Sequence, residues 1–292
     1  MKTRIQALLP NPVISALQRE GMPSLSVLLS VTIVVILVAL SVAAPVVAPH
    51  DPNAIDLAQR LQGMSLGHPV GTDHLGRDIL SRLIYGTRVS LGAVAVILAT
   101  VMVLGIGVGS LSGYAGGRLD AVIMRFCDVF LTFPTFVLAM FMVGVLGTGI
   151  VNVVLAIALS HWAWYARIAR SLVLSFKERD FVLAARVAGG SRLGVFFVHV
   201  LPSVLVQFVV LCTLDIGHMI LHVAGLSFLG LGVMPPMAEW GVMISDAREF
   251  IWTQPMLLFW PGLMVFGTVM AFNQLGDALR DRLDPALRAE AI

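Results

Sequence analysis

Residues 177–202 read KERDFVLAARVAGGSRLGVFFVHVLP. This stretch lies between two long apolar runs and is too polar to sit in lipid. Glu178, Arg179 and Asp180 open it. Good helix formers, Leu183, Ala184 and Ala185 among them, give a short helical pattern over 181–188. Gly189, Gly190 and Ser191 break that pattern. A second short amphipathic pattern runs over 193–200 and ends at Pro202. Two short helices joined by a glycine corner, held between two membrane helices, predict a docking surface. A loop that merely connects two spans fits the same spacing.

Composition sets the surroundings of that stretch. The chain has 292 residues, 58% hydrophobic and 12% charged, with a mean hydropathy of +0.92. Those values belong to a polytopic membrane protein. The net charge of +2 says little about partners. Lys2 and Lys177 are the only lysines, and neither ends a glycine-rich phosphate loop, so the chain is not expected to hydrolyse ATP and is not read as an enzyme. Cys127 and Cys212 are far apart and lie in or beside apolar runs, which reads as two free thiols.

Outward from 177–202, apolar runs lie at about 25–44, 89–111, 121–146, 149–169, 203–230 and 255–275. They predict an all-α membrane protein of six spans. The first run is too long for a signal-peptide core and is read as a retained helix ended by Pro45 and Pro49. Gly147, Thr148 and Gly149 form a tight turn between the third and fourth. With both termini inside, the outer segments hold Arg60, Arg77, Arg82, Arg88 and Arg248, five of the 19 basic residues, and the other fourteen lie inside. The resulting division is 1–48, N-terminus and first helix; 49–88, an extracytoplasmic loop; 89–276, a five-helix core with its cytoplasmic stretch at 177–202; and 277–292, a cytoplasmic tail.

Within the fifth span, residues 212–225 read CTLDIGHMILHVAG. Asp215, His218 and His222 are spaced i, i+3 and i+7, and at about 100° per residue they share an arc of roughly 60°. Cys212 and Met219 flank that arc. Ionisable groups are costly in a span and normally face a polar interior or a pathway. Carboxylate and imidazole, with thioether and thiol nearby, suit a borderline divalent ion such as Ni²⁺ better than a peptide. A polar pair that glues helices together is the rival reading. His161 is flanked by Trp162, Trp164 and Tyr165, an interfacial belt, and reads as a packing group.

Several stretches carry a family resemblance. Residues 177–202 are similar to the coupling loop of bacterial ABC-importer permeases, E-A-A, three residues, G, nine residues, I, one residue, L-P. Ala184, Ala185, Gly189, Leu201 and Pro202 fall on that pattern, with Leu183 where the family usually has Glu and His199 where it often has Ile. Residues 71–91, GTDHLGRDILSRLIYGTRVSL, resemble the outer-loop signature of the oligopeptide, dipeptide and nickel branch. LSFLGLGVMPPMAEWGVMISDAR at 226–248 and LGDALRDRLDP at 275–285 agree with it. SHWAWYAR, TLDIGHM and LHVAGLSFLGLGV look like the nickel members, in their second permease subunit.

Local readings accompany these stretches. Gly71–Asp73 is a turn, and Asp78 with Arg82 an i,i+4 ion pair on an interfacial helix. Pro235-Pro236 stops a helix, and Glu239 and Trp240 suit a membrane interface.

The resemblance implies a subunit in the bacterial inner membrane, in contact with lipid. It would pair with a homologous permease, two cytoplasmic ATPase subunits and an extracytoplasmic binding protein, with no nucleic acid. Ala184, Ala185, Arg186, Gly189, His199, Leu201 and Pro202 would form the coupling loop. Asp215, His218, His222 and Met219 would line the path of a nickel ion, which is cargo and not a resident cofactor. A dipeptide or oligopeptide permease of the same branch is the nearest alternative. A membrane metalloenzyme would need an HExxH-type spacing that the chain lacks. A self-sufficient channel would have no use for the docking stretch.

Overall fold

In the computed structural model, residues 24–283 are described. Residues 1–23 and 284–292, and the assignments of the terminal tails that fall on them, lie outside the described residues. The described residues form helices α1 (Leu25–Val47), α2 (Ile79–Ala115), α3 (Gly117–Leu131), α4 (Thr135–Leu146), α5 (Ile150–Phe176) and α6 (Asp180–Val187). These are followed by α7 (Arg192–Phe228), α8 (Trp240–Ala247) and α9 (Met256–Leu283). No strand occurs among the described residues; Thr72 and Asp78 make an isolated antiparallel bridge.

Four helices, α1, α2, α7 and α9, are long and apolar enough to cross a membrane. The apolar run at 121–146 is a fifth only if α3 and α4 count together, because they meet at an angle of 84°. The bend falls at Pro134, which lacks an N–H and biases Phe133 away from helical dihedrals. α5 has 27 residues, about 40 Å of helix, but carries Asn152, His161, Arg167 and Arg170.

Three boundaries differ from the sequence expectations. Pro45 lies inside α1, where Ala48 N–H still bonds to Ala44 O at 3.1 Å. Pro202 does not end a helix either. Phe196–Val200 form a wide π turn, in which Leu201 N–H reaches back to Phe196 O, and the wider turn takes up the proline ring. α7 therefore runs without a break from the second short helix of 177–202 into the fifth apolar run. Lastly, α2 begins at Ile79, inside the stretch expected as an extracytoplasmic loop with an interfacial helix.

The reason for that early start is local charge. Asp78 caps α2 by accepting from Ser81 N at 2.8 Å. Its carboxylate also holds His68 Nδ1 at 2.9 Å, so the expected Asp78–Arg82 ion pair does not form. Asp73 takes the arginines instead, Arg77 at 2.6 Å and Arg82 at 3.6 Å, and Asp246 reaches Arg77 at 3.1 Å. Glu239 and Trp240 are also not at an interface but fully buried. Trp240 Nε1 donates to Leu83 O at 3.2 Å. Glu239 caps α8 through Val242 N at 3.0 Å and accepts from Ser90 Oγ at 3.1 Å. Burial pushes its carboxyl above the usual range.

Small residues set the close packing that places the site. Gly105, Gly109 and Gly113 recur every fourth residue along α2 and face α5. A β carbon at Gly113 would lie 2.9 Å from Arg170 O, and one at Gly109 would lie 2.7 Å from the Ala169 β carbon. The two helices thus touch backbone to backbone, as membrane helices with small residues at every fourth position do. On the other side of α7, a β carbon at Gly276 of α9 would lie 2.6 Å from Leu214 Cδ2. The core between them includes Ile97, Ile157, Tyr165, Phe208 and Leu226.

Candidate translocation site

Asp215 sits at the middle of α7, on the side turned to α5, and is 5% exposed. Its Oδ2 meets His161 Nε2 at 3.0 Å and accepts from Tyr165 OH at 2.9 Å. Both partners come from α5, four residues apart, so one helical turn offers two donors to one carboxylate. A carboxylate oxygen facing Nε2 places the ring proton there. In the neutral ring the other nitrogen, Nδ1, is then a bare lone pair. That Nδ1 is buried without a partner among the described residues, and so is His222 Nδ1. His218 Nδ1 lies 3.6 Å from Asp215 Oδ1, the oxygen that His161 and Tyr165 leave free. The side chain of His218 is 74% exposed.

A cavity of about 230 Å³ connects these groups, lined by His161, Trp164, Leu211, Asp215, His218 and His222. The rings of Phe136 on α4 and His222 stack at 5.7 Å, and Trp164 packs against His161 at 5.3 Å. One carboxylate and three imidazoles therefore line one cavity, with His161 and His218 each against Asp215, although among the described residues no three of these donor atoms lie within 4.8 Å of one another. Those donors suit a borderline divalent cation. Unpartnered buried nitrogens are costly unless something binds them.

The sequence-derived stripe is only partly the cavity wall. Asp215, His218 and His222 line it together. Met219 does not: it is fully buried in the helix core, turned away by its 100° step from His218. Cys212 is half-buried, and its Sγ lies 3.6 Å from Tyr165 OH. His161, read as a packing group, is buried and bonded to Asp215 through Nε2, and it also lines the cavity. Its spacing to Tyr165, four residues with both polar ends on one face, carried that signal.

The stretch at 177–202 has the geometry of a raised corner. α6 closes as a Schellman turn, with Gly190 N–H to Ala185 O and Gly189 N–H to Arg186 O, both at 3.0 Å. Gly189 has φ +91°, a conformation that suits glycine. Ser191 caps the next helix by accepting from Gly194 N at 3.1 Å. Ala184, Arg186 and Gly189 are exposed, while Ala185, Leu201 and Pro202 are half-buried. His199 packs edge-on to Phe181 at 6.5 Å. Val187, Leu193 and Phe197 present exposed apolar side chains on the same corner. Tyr114, at the end of α2, donates to Arg192 O and packs on Phe196, tying the corner to the core.

Comparison with known proteins adds independent information. Residues 105–289 match the family model described as binding-protein-dependent transport system inner membrane component. The chain is 60% identical over 242 residues to the nickel transport system permease protein NikC of Escherichia coli K12, covering 83% of this chain and 87% of that one. It is 42% identical over 241 residues to the metal-staphylopine import system permease protein CntC of Staphylococcus aureus, covering 82% and 83%. The dipeptide transport system permease protein DppC of Alkalihalophilus pseudofirmus is 40% identical over 232 residues, covering 80% and 76%.

Proposed function

Because the chain belongs to the inner membrane components of binding-protein-dependent transport systems, we propose that it is a permease subunit carrying nickel across the bacterial inner membrane. The observation that carries this reading is the 60% identity to a nickel permease across most of both chains, against 40% to a dipeptide permease. The cavity around Asp215 supports it. The lining offers a carboxylate and three imidazoles, donors that suit a divalent cation better than a peptide.

In this reading the subunit has six spans and both termini inside. α5 is the fourth span; His161 faces the protein interior, where it meets Asp215, while Arg167 and Arg170 are paired with Asp128 and Asp120 of α3. A homologous permease completes the path. Two ATPase subunits dock on the exposed corner of α6 and the start of α7, and a binding protein delivers the ion outside. ATP is hydrolysed in the partners, since this chain has no phosphate-binding loop. Nickel is cargo, and the chain keeps no metal of its own.

The continuity of α7 gives a mechanical link. Arg192 at the corner and Asp215 at the cavity stand on one helix, 23 residues and so about 35 Å apart. Closure of the ATPases moves the corner, and the helix moves Asp215, His218 and His222 with it as a body. Movement away from α5 separates Asp215 from His161 and Tyr165 and opens the cation's shell for release. His218 and His222, one turn apart, pass the ion along.

Nickel accumulation in cells that make the whole complex tests the reading. Asp215→Asn and His218→Ala are expected to lower accumulation while the complex still assembles. Wild-type accumulation in both would contradict it. Failed assembly with both would favour the helix-glue role for Asp215.

A further inference from the structure

Outside the membrane helices, His50, His68 and Asp78 come together where the chain leaves α1 and enters α2. One nitrogen of each histidine and one oxygen of Asp78 lie within 4.8 Å of one another. The two rings stand 4.7 Å apart, centroid to centroid. His68 Nδ1 is 2.9 Å from Asp78 Oδ1, and its Nε2 is 2.7 Å from Gln59 Oε1. The Gln59 amide cannot turn over. Its Nε2 donates to Asp56 Oδ2 at 2.8 Å, and a flip would set two oxygens against each other. Gln59 therefore offers His68 an acceptor, and Nε2 carries the ring proton.

In the neutral ring, His68 Nδ1 is then a lone pair aimed at a carboxylate oxygen. In the doubly protonated ring that contact is an ordinary N–H to carboxylate bond; a divalent cation that displaces the second proton would take both Nδ1 and Oδ1 as ligands. His50 repeats the arrangement. Its Nε2 is 2.8 Å from Gly67 O, so Nε2 donates and the other nitrogen is left bare. A ring whose far N–H is held by a carbonyl is the usual state of a metal-binding histidine. Asp78 is fixed as well: Oδ2 accepts from Ser81 N at 2.8 Å and Ser81 Oγ at 2.7 Å, leaving Oδ1 toward the histidines. It is 2% exposed, so its charge is largely stripped of water. His50 is exposed and opens onto a cavity of about 610 Å³ that Asp51, Tyr85 and Met237 also line.

We propose that His50, His68 and Asp78 form a second divalent-metal site, at the end of α2 remote from the docking corner. Two imidazoles and a carboxylate leave coordination positions open, so an ion can arrive with other ligands and leave again. The two ends of α2 are 36 residues, about 55 Å, apart. The site therefore takes the ion before the helices do. The choice of Ni²⁺ as the ion rests on the nickel reading above; the ligand set rests on the geometry alone.

The test is equilibrium dialysis of the purified, assembled complex against NiCl₂, with X-ray absorption of the bound metal. His50→Ala, an exposed position, and His68→Gln are each expected to lose one nickel equivalent per complex. The Asp215→Asn/His218→Ala double variant is expected to keep that equivalent, with nitrogen and oxygen ligands in its spectrum. Unchanged stoichiometry in His50→Ala and His68→Gln would overturn the site and show the contact to be a proton-bridged pair. Zinc bound and lost with His50→Ala, without nickel, would overturn the assigned ion. Nickel uptake measured on the same variants reports separately on the transport reading.

Discussion

Asp215 divides its two oxygens between two tasks. Oδ2 is held by His161 and Tyr165, and Oδ1 is left toward His218. Loss of the charge by Asp215→Asn is therefore expected to lower nickel uptake by about tenfold or more, since one lost metal ligand readily exceeds ~1.4 kcal/mol. Tyr165→Phe removes a hydrogen bond but no ligand, so a smaller fall is expected; equal losses in both would place the effect in packing. Imidazole binds metal only when deprotonated. Nickel uptake is accordingly expected to fall in acid more steeply than the ATPase rate of the same complex, and parallel pH profiles would contradict imidazole ligation. Glu239 gives a stability prediction with a definite sign. Burial raises its carboxyl in the fold, so its contribution is present at low pH and is lost as pH rises through the folded value. Glu239→Gln removes that loss. The melting temperature of the variant should gain on wild type as pH rises above the ordinary carboxylate range, and a trend in the other direction would contradict the assignment.

At the scale of elements, two glycine devices do different work. Gly109 lets α2 and α5 approach until a β carbon would press on Ala166 and Ala169. Gly109→Leu is expected to part the helices and cost about 1–3 kcal/mol, as overpacked cores do. The amount of folded complex recovered from membranes reads this, and normal recovery would show the contact to be dispensable. Gly189 has open space around it, so only its positive φ demands glycine. Gly189→Val is expected to leave folding intact and uncouple ATP hydrolysis from uptake; wild-type coupling would remove the corner from the mechanism. The corner was legible in the sequence, because Gly189-Gly190-Ser191 between helix formers is a local signal. The start of α2 was not. Arg77 and Arg82 read as the charged face of a separate interfacial helix until Asp73 and Asp246 are seen to neutralise them, and Asp246 lies far along the chain. The bend at Pro134 and the passage of the chain through Pro202 differ for a reason of the same kind. A proline ends a helix or is absorbed by a wider turn according to its packing.

For the whole molecule, length and apolar composition were enough to read an all-helical membrane protein, because lipid leaves a chain few other solutions. The stripe of Asp215, His218 and His222 was half legible. Helical period puts Asp215, His218 and His222 on one face, but the period of α7 alone says nothing of α5, which brings His161 and Tyr165. Sidedness is a matter of charge. With the basic residues counted, 49–88 is expected outside and 177–202 inside. Cysteines placed at Ala58 and Ser191 should react with an impermeant reagent at Ala58 alone in cells whose inner membrane is intact; labelling at Ser191 would invert the topology. The central claim is that Asp215 and the histidines around it carry nickel through this subunit. Its most direct test is ATP-driven uptake by the reconstituted complex, with Ni²⁺ and a dipeptide offered in parallel, in wild type and in His218→Ala. Wild-type vesicles should take up Ni²⁺ and not the dipeptide, and His218→Ala should lose the nickel flux while its ATPases still turn over. Dipeptide uptake by wild type, or full nickel flux in His218→Ala, would contradict it.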